Sequence, residues 1–171
     1  MTYQADAITL RAMEPEDLDF LYKIENDESI WSISATNVPY SRYVLRNYIA
    51  TAQNDIYADG QVRLIIEKAY QTPIGVIDLI AFDPKNRRAE LGIILQKEHQ
   101  HRGYGLKAIC RIRQYAHSVL HLRQLYAYVD ETNKASLKCL QAAGFESTAI
   151  LKDWLSEGTK FRNAILMQLF L

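Results

Sequence analysis

Cysteine, proline and glycine are all scarce in this sequence. Its 171 residues include two cysteines, four prolines and seven glycines, and no internal repeat or low-complexity tract is present. The cysteines, Cys110 and Cys139, fall in separate predicted helices and lack metal-ligand spacing, so we expect reduced, buried thiols. The sequence therefore predicts neither a disulfide nor a metal site.

Long apolar runs and an excess of one charge are also missing. No run approaches the ~20 apolar residues of a membrane span. The first residues lack the basic and apolar regions of a signal peptide, so we expect a cytoplasmic protein without a membrane partner. Lysine and arginine together number 20, as do aspartate and glutamate. This balance, without an aromatic-rich RNA motif, argues against a nucleic-acid partner.

Charge is nevertheless unevenly distributed along the chain. Acidic residues outnumber basic ones in residues 1–60, whereas residues 99–129 contain no acid. The second stretch predicts an anion-binding site, and the first more weakly predicts a surface that tolerates cations. The basic residues of the second stretch are Arg102, Lys107, Arg111, Arg113 and Arg123.

The segment QHRGYG, residues 100–105, places two glycines and basic side chains ahead of a helix-patterned stretch. Unpaired amides and the helix dipole at such a point suit a phosphate group. Leu106 stands where an ATP-binding loop requires lysine, which excludes that loop. A dinucleotide site stays open as an alternative, because Gly103, Gly105 and Ala108 fit its glycine pattern. These glycines, however, do not directly follow the preceding strand.

Apolar periodicity predicts strands and helices in alternation. Strands are expected over residues 7–13, 62–67, 73–81, 87–95 and 124–129, with a hairpin of residues 146–151 and 161–171 turning near Gly158. Helices are expected after Pro15, over residues 40–52, after the glycine loop and over residues 133–143. This order indicates one α/β or α+β domain spanning residues 1–171.

Two motifs together identify a family resemblance. AELGIILQKEHQHRGYG, residues 89–105, gives a strand, a connector and Q-x-x-G-x-G before a helix. VDETNKASLKCLQAAGF, residues 129–145, gives Asn-x-x-Ser and a helix that ends in Gly-Phe. The combination resembles the GNAT superfamily of acetyl-CoA-dependent N-acetyltransferases over essentially the whole chain. ITLRAMEPEDLDFLYKIENDESI, residues 8–30, is similar to the branch of ribosomal-protein N-terminal and spermidine N-acetyltransferases.

The resemblance implies the GNAT acyl-CoA N-acyltransferase fold, α/β (α+β), with a central mixed, mostly antiparallel sheet of splayed strands flanked by helices. It also implies acetyl-CoA as co-substrate, without a metal. The pantetheine arm would bind the backbone of the strand before the loop, and the pyrophosphate would bind the loop amides. The implied cofactor residues are Gly92, Ile93, Ile94, Leu95, Gln100, His101, Arg102, Gly103, Tyr104, Gly105, Asn133 and Ser136. From charge and helical spacing, Lys134 and Lys138 are further candidates for the ribose phosphate.

The implied reaction transfers the acetyl group directly to a primary amine, which must lose a proton. Glu90 is the candidate base and Asp78 the second, unless these carboxylates pair with Arg87 or Arg88. Many relatives carry a tyrosine, which protonates the leaving sulfur, at the position of Leu140. Its absence leaves open a catalytically weakened coenzyme-A-binding module as the alternative function. Other possible proton donors are Tyr104, Tyr126, Tyr128 and, less favoured, Cys139.

The acceptor is the least defined part of the prediction. A protein N-terminus and a small-molecule amine fit equally well, and the candidate substrate-binding residues are Glu28, Trp31 and Tyr40. Spermidine enzymes carry acids before a Pro-Tyr pair, where this chain has Asn37 and Val38. That departure weighs against a polyamine. The family resemblance implies a monomer or a homodimer.

Overall fold

The computed structural model describes residues 7–31, 38–53, 55–69 and 71–171, apart from the side chains of residues 30 and 31. Its strands are β1 (Ile8–Arg11), β2 (Val62–Lys68), β3 (Thr72–Asp83), β4 (Arg88–Leu95), β5 (Gln124–Asp130), β6 (Glu146–Glu157) and β7 (Lys160–Phe170). Its α-helices are α1 (Leu18–Glu25), α2 (Glu28–Trp31), α3 (Arg42–Thr51), α4 (Ile56–Asp59), α5 (Tyr104–Ser118) and α6 (Lys134–Ala142). Each predicted strand is present, whereas the short α2 and α4 were not predicted.

The strands form one sheet in the order β1-β2-β3-β4-β5-β7-β6. Every neighbouring pair is antiparallel except β4 and β5, which run parallel and are connected through α5. A parallel pair needs such a crossover connection, usually a helix. The expected mixed, mostly antiparallel sheet with flanking helices is confirmed.

Strands β4 and β5 pair only at their beginnings. The register joins Arg88 to Gln124, Ala89 to Leu125 and, last, Glu90 to Tyr126. Beyond that pair, β4 continues alongside β3 as far as Leu95, while β5 continues alongside β7. The sheet therefore divides after Glu90, as the prediction of splayed strands requires.

The two faces of β4 contact different helices, because successive side chains point to opposite sides of a strand. Ile94 packs into a cluster with Leu21 of α1 and Leu45 of α3. Leu91 belongs to the main core, which includes Ile109 of α5. The sheet thus separates an α1–α3 side from an α5 side, and the division between β4 and β5 connects the two.

Two smaller predictions about burial were wrong. The spacing of Ile109, Ile112, Ala116 and Val119 predicts one apolar face for α5; the first three are fully buried, whereas Val119 is exposed just beyond the last residue of the helix, Ser118. Cys110 is also exposed, on the outer face of α5, although both cysteines are free thiols as expected. Helical spacing thus identified the buried face of α5 but not the residue at which the helix ends.

Replacing Gly75 by alanine is expected to destabilise the fold. A Cβ atom there would lie 2.4 Å from the backbone carbonyl oxygen of Ile94, and overpacking costs about 1–3 kcal/mol in the free energy of unfolding. Gly92 in the adjacent strand is the matched control, since its Cβ would meet Asp78 Cβ at an ordinary 3.7 Å. Urea titration measures both variants, and equal stabilities would contradict this explanation.

Candidate active site

The glycine loop leads directly into the N-terminus of α5. Gly103 caps the helix with φ of 79°, a left-handed conformation that favours glycine, and no side chain caps the helix there. The amide of Lys107 donates to the Gly103 carbonyl over 3.1 Å. The amides of residues 104–106 come before that bond and lie at the positive end of the helix dipole, so they can bind an anion.

Gln100 fixes the loop to the end of β4. Its side-chain amide Nε2 donates to the carbonyl of Leu95 over 2.9 Å. The next residue, His101, takes a positive φ of 58° and is exposed. Because Gln100 bonds the carbonyl at the end of the predicted pantetheine strand, this side chain sets the approach of the loop to β4.

Gly105 lets α5, α6 and β4 approach one another. A Cβ atom on Gly105 would lie 3.3 Å from Cys139 Sγ and 3.6 Å from Leu95 Cδ1. At the start of α6, the side-chain oxygen of Asn133 accepts from the Ser136 amide over 3.1 Å. This cap uses the oxygen of Asn133 and leaves its amide nitrogen for another partner. The predicted cofactor residues of β4, the loop and α6 are therefore neighbours.

Basic side chains surround this helix N-terminus. Arg102 is exposed in the loop, and Lys138 is exposed on α6. Lys134 Nζ donates to the carbonyl of Glu131 over 2.7 Å. Burial, followed by the positive charges of Lys68 and other bases, lowers the pKa of His99 below its ordinary value. The region favours an anionic ligand, as the charge distribution predicted.

Glu90 lies at the point where β4 and β5 separate. Its side chain is half-buried, and burial raises the pKa of its carboxyl above the ordinary value. Within the described residues, the carboxylate makes no hydrogen bond or ion pair. A carboxylate without a hydrogen-bond partner and with a raised pKa is available to accept a proton.

Asp78, the second candidate base, is held by Arg63. Nε and Nη2 of Arg63 donate to the two carboxylate oxygens of Asp78 over 2.8 Å each, and Nη1 pairs with Glu25 of α1. The partner is thus neither Arg87 nor Arg88, because the antiparallel register places Arg63 opposite Asp78. Both carboxylate oxygens of Asp78 already accept from the guanidinium, whereas Glu90 makes no such bond within the described residues, and this difference favours Glu90 as the base.

An aromatic row extends from Glu90 on the same face of the sheet. Tyr126 is paired with Glu90 in register, its ring lies 5.7 Å from that of Tyr128, and the Tyr128 ring lies 5.8 Å from that of Trp154 on β6. Tyr128 is 40% exposed and Trp154 is 55% exposed. No sequence pattern indicated Trp154, which lies far from the other two residues along the chain.

The predicted acceptor residues are only partly described. Tyr40 is half-buried and its backbone exchanges two hydrogen bonds with the Asn26 side chain, over 2.8 and 3.0 Å. These bonds connect the end of α1 to the start of α3. Glu28 is exposed at the start of α2, while the side chain of Trp31 lies outside the described residues. Asn37 lies outside them as well.

Leu140 is buried, with 5% of its surface exposed, in the core that includes α5. It has no proton to donate. Cys139 lies against Gly105, and burial raises the pKa of its thiol.

In the ranges that the structure describes, no helix is long and apolar enough to cross a membrane. No group of three or more His, Cys, Asp or Glu side chains in these ranges could hold a metal ion.

Comparison with known proteins assigns a family to this arrangement. The profile of the acetyltransferase (GNAT) domain matches residues 7–146. The chain belongs to the GNAT acetyltransferase family. It is therefore an acetyl-CoA-dependent N-acetyltransferase that acts on an amine, and the family prediction is confirmed. A spermidine N(1)-acetyltransferase of Escherichia coli is 27% identical over 166 residues, covering 97% of this chain and 87% of that protein.

Solved structures of one bacterial enzyme share the fold. A crystal structure of the spermidine N-acetyltransferase of Vibrio cholerae in complex with CoA and spermine has a TM-score of 0.85 and 27% identity, covering 95% of both chains. A dodecameric structure of the V. cholerae enzyme has a TM-score of 0.81 and 25% identity, covering 95% of this chain and 93% of that one. The V. cholerae enzyme, which shares this fold, has thus been solved with CoA and spermine bound.

Replacing Arg63 by alanine is expected to lower the free energy of unfolding by about 3–5 kcal/mol, because the buried Glu25 and the half-buried Asp78 would lose their common partner. Arg88 is the matched control, since it also pairs with a cross-strand aspartate, Asp83, over 3.2 Å. That arginine is 48% exposed, against 21% for Arg63, so Arg88→Ala should cost less than about 1 kcal/mol. Denaturant titration tests the difference, and similar losses would refute it.

Proposed function

We propose that this N-acetyltransferase acetylates a polyamine of the spermidine class. The observation that carries the proposal is the similarity to spermidine N-acetyltransferases over nearly the whole chain, including a structure in complex with CoA and spermine. Glu90 and the aromatic row of Tyr126, Tyr128 and Trp154 also suit a cationic amine, which binds carboxylates and the faces of aromatic rings. We give these features more weight than the absence of acidic residues at positions 37 and 38, where this chain has Asn37 and Val38.

The acetyl donor fits the α5 end of the site. The free amides of residues 104–106 and the exposed side chain of Arg102 suit the pyrophosphate of acetyl-CoA. Residues Gly92–Leu95 carry backbone groups that are not paired with β5, so they suit a pantetheine arm bound like an added strand. Asn133 and Ser136 lie beside this channel at the start of α6.

Glu90 acts as the base in this proposal. A neutral amine attacks the thioester carbonyl, and Glu90, directly or through a water molecule, takes the one proton that the attacking nitrogen loses. The C–N bond then forms as the C–S bond breaks, without a covalent enzyme intermediate. The ion pair with Arg63 supports a structural role for Asp78.

The acceptor is tested by turnover of acetyl-CoA with a panel of amines. Spermidine and spermine should give a kcat/KM at least about tenfold above that of a monoamine or a peptide N-terminus, because one added ionic contact contributes about 1.4 kcal/mol or more. A peptide as the preferred acceptor would overturn the polyamine assignment. Coenzyme A binding without turnover of any amine would instead favour the weakened binding module.

The raised pKa of Glu90 predicts a pH dependence. Activity should rise with pH as Glu90 loses its proton, with the acid limb of kcat/KM above the ordinary glutamate value of 4.5. Glu90→Gln should remove that limb and lower kcat by about 10²-fold or more. By linkage, the folded wild type should also lose stability as pH rises through this window, and the variant should not. An unchanged pH profile in Glu90→Gln would eliminate this base.

Location and assembly stay predictions. The cytoplasm is the location expected from the sequence, and the two free thiols are compatible with it. A monomer or homodimer is expected from the family resemblance, whereas the V. cholerae relative has a dodecameric structure. Light scattering of the purified protein gives the assembly directly.

A further inference from the structure

The coenzyme A thiolate leaves more easily when a side chain donates a proton to its sulfur. The candidate donors among the described residues differ in their access to the place where the reaction would occur. That point is the division of the sheet after Glu90, where the α5 side and the α1–α3 side meet. Leu140 is apolar and buried. Cys139 packs against Gly105 within the first turn of α5. Tyr104 is 8% exposed in the core beneath the same turn.

Tyr126 is the tyrosine next to Glu90 at this division. The two residues form the last pair of the β4–β5 register, and paired residues of parallel strands direct their side chains to the same face of the sheet. The phenol is half-buried, so it is partly shielded from water. Tyr128 lies further along β5, is more exposed, and stacks against Trp154.

We propose that Tyr126 is the catalytic acid of the reaction and that it exchanges protons with Glu90. The inference rests on the proposed acetyl transfer and adds a residue to it. It explains how the enzyme acts with leucine at position 140.

The proton transfers balance without any further reactant. The neutral amine attacks the thioester carbonyl, a C–N bond forms, and Glu90 takes one amine proton. The C–S bond breaks as Tyr126 gives its phenolic proton to sulfur, which leaves as the coenzyme A thiol. The protonated Glu90 then returns its proton to the Tyr126 phenolate, and both residues recover their starting states.

The charges around Tyr126 favour a protonated phenol before reaction. Burial, followed by the negative charge of Glu90, raises the pKa of Tyr126 above its ordinary value. Tyr128 and Asp83 act in the same direction, whereas Arg88 opposes them. On β7 the residue paired with Tyr126 is the uncharged Gln168, whose amide donates to Gln124 over 2.8 Å. The phenol can therefore keep its proton until sulfur needs it.

The first test is Tyr126→Phe, which keeps the ring and removes the proton. We expect kcat to fall about 10²-fold with little change in the KM for acetyl-CoA, the pattern of a lost transition-state interaction. Tyr115→Phe is the matched control, because Tyr115 on α5 is also half-buried and burial also raises the pKa of its phenol. That variant should turn over like the wild type.

The second test replaces the Tyr126 ring by 3-fluorotyrosine, which lowers the pKa of the phenol. If Tyr126 donates the proton, the high-pH limb of kcat moves to lower pH, whereas a ring that only packs leaves the profile unchanged. Full kcat in Tyr126→Phe, or an unmoved limb in the fluorinated enzyme, would overturn the inference while leaving acetyl transfer intact. A wild type without turnover of any amine would overturn both.

Discussion

The division of the sheet between β4 and β5 is the constraint on which the rest of the site depends. Backbone groups of a strand need partners, and beyond Glu90 those of β4 that face away from β3 have none on β5. A sheet normally keeps such an edge at its rim, but here the edge lies in the interior, beside the N-terminus of α5. An extended ligand arm with a terminal phosphate matches both features at once, and acetyl-CoA is that ligand in the GNAT family.

On the face of the sheet that packs against α1 and α3, ion pairing separates the roles of the two candidate bases, Asp78 and Glu90. Arg63 binds Asp78 through two nitrogens and reaches Glu25 through a third. One guanidinium therefore connects α1 to β3 and occupies one of the two candidate bases. Glu90 has no such partner among the described residues, and burial makes its carboxyl more basic. The ion pairs that connect α1 to the sheet thus engage Asp78 and leave Glu90 available for chemistry.

Leucine at position 140 changes which side chain can serve the leaving group without changing the fold. Leu140 belongs to the apolar core, so this position contributes packing and has no proton to donate. The proposed donor, Tyr126, lies on β5, paired in register with the proposed base, Glu90 of β4. In this arrangement the base and the acid are neighbours on paired strands, and the proton taken from the amine can be returned to the acid in the same cycle.

The sequence alone was enough to predict the strands and the longer helices, because apolar periodicity and the residues at the ends of an element are local patterns; acetyl-CoA was implied by the family resemblance of two motifs. The sequence could not determine which side chains meet. Arg87 and Arg88 were the partners considered for Asp78 as the alternative to a catalytic role, but the β2–β3 register pairs Asp78 with Arg63. Glu90 meets Tyr126 only because a helical crossover returns β5 parallel to β4, and Trp154 joins Tyr128 only through the final hairpin. Strand register is a property of the whole sheet, and tertiary structure alone decided it.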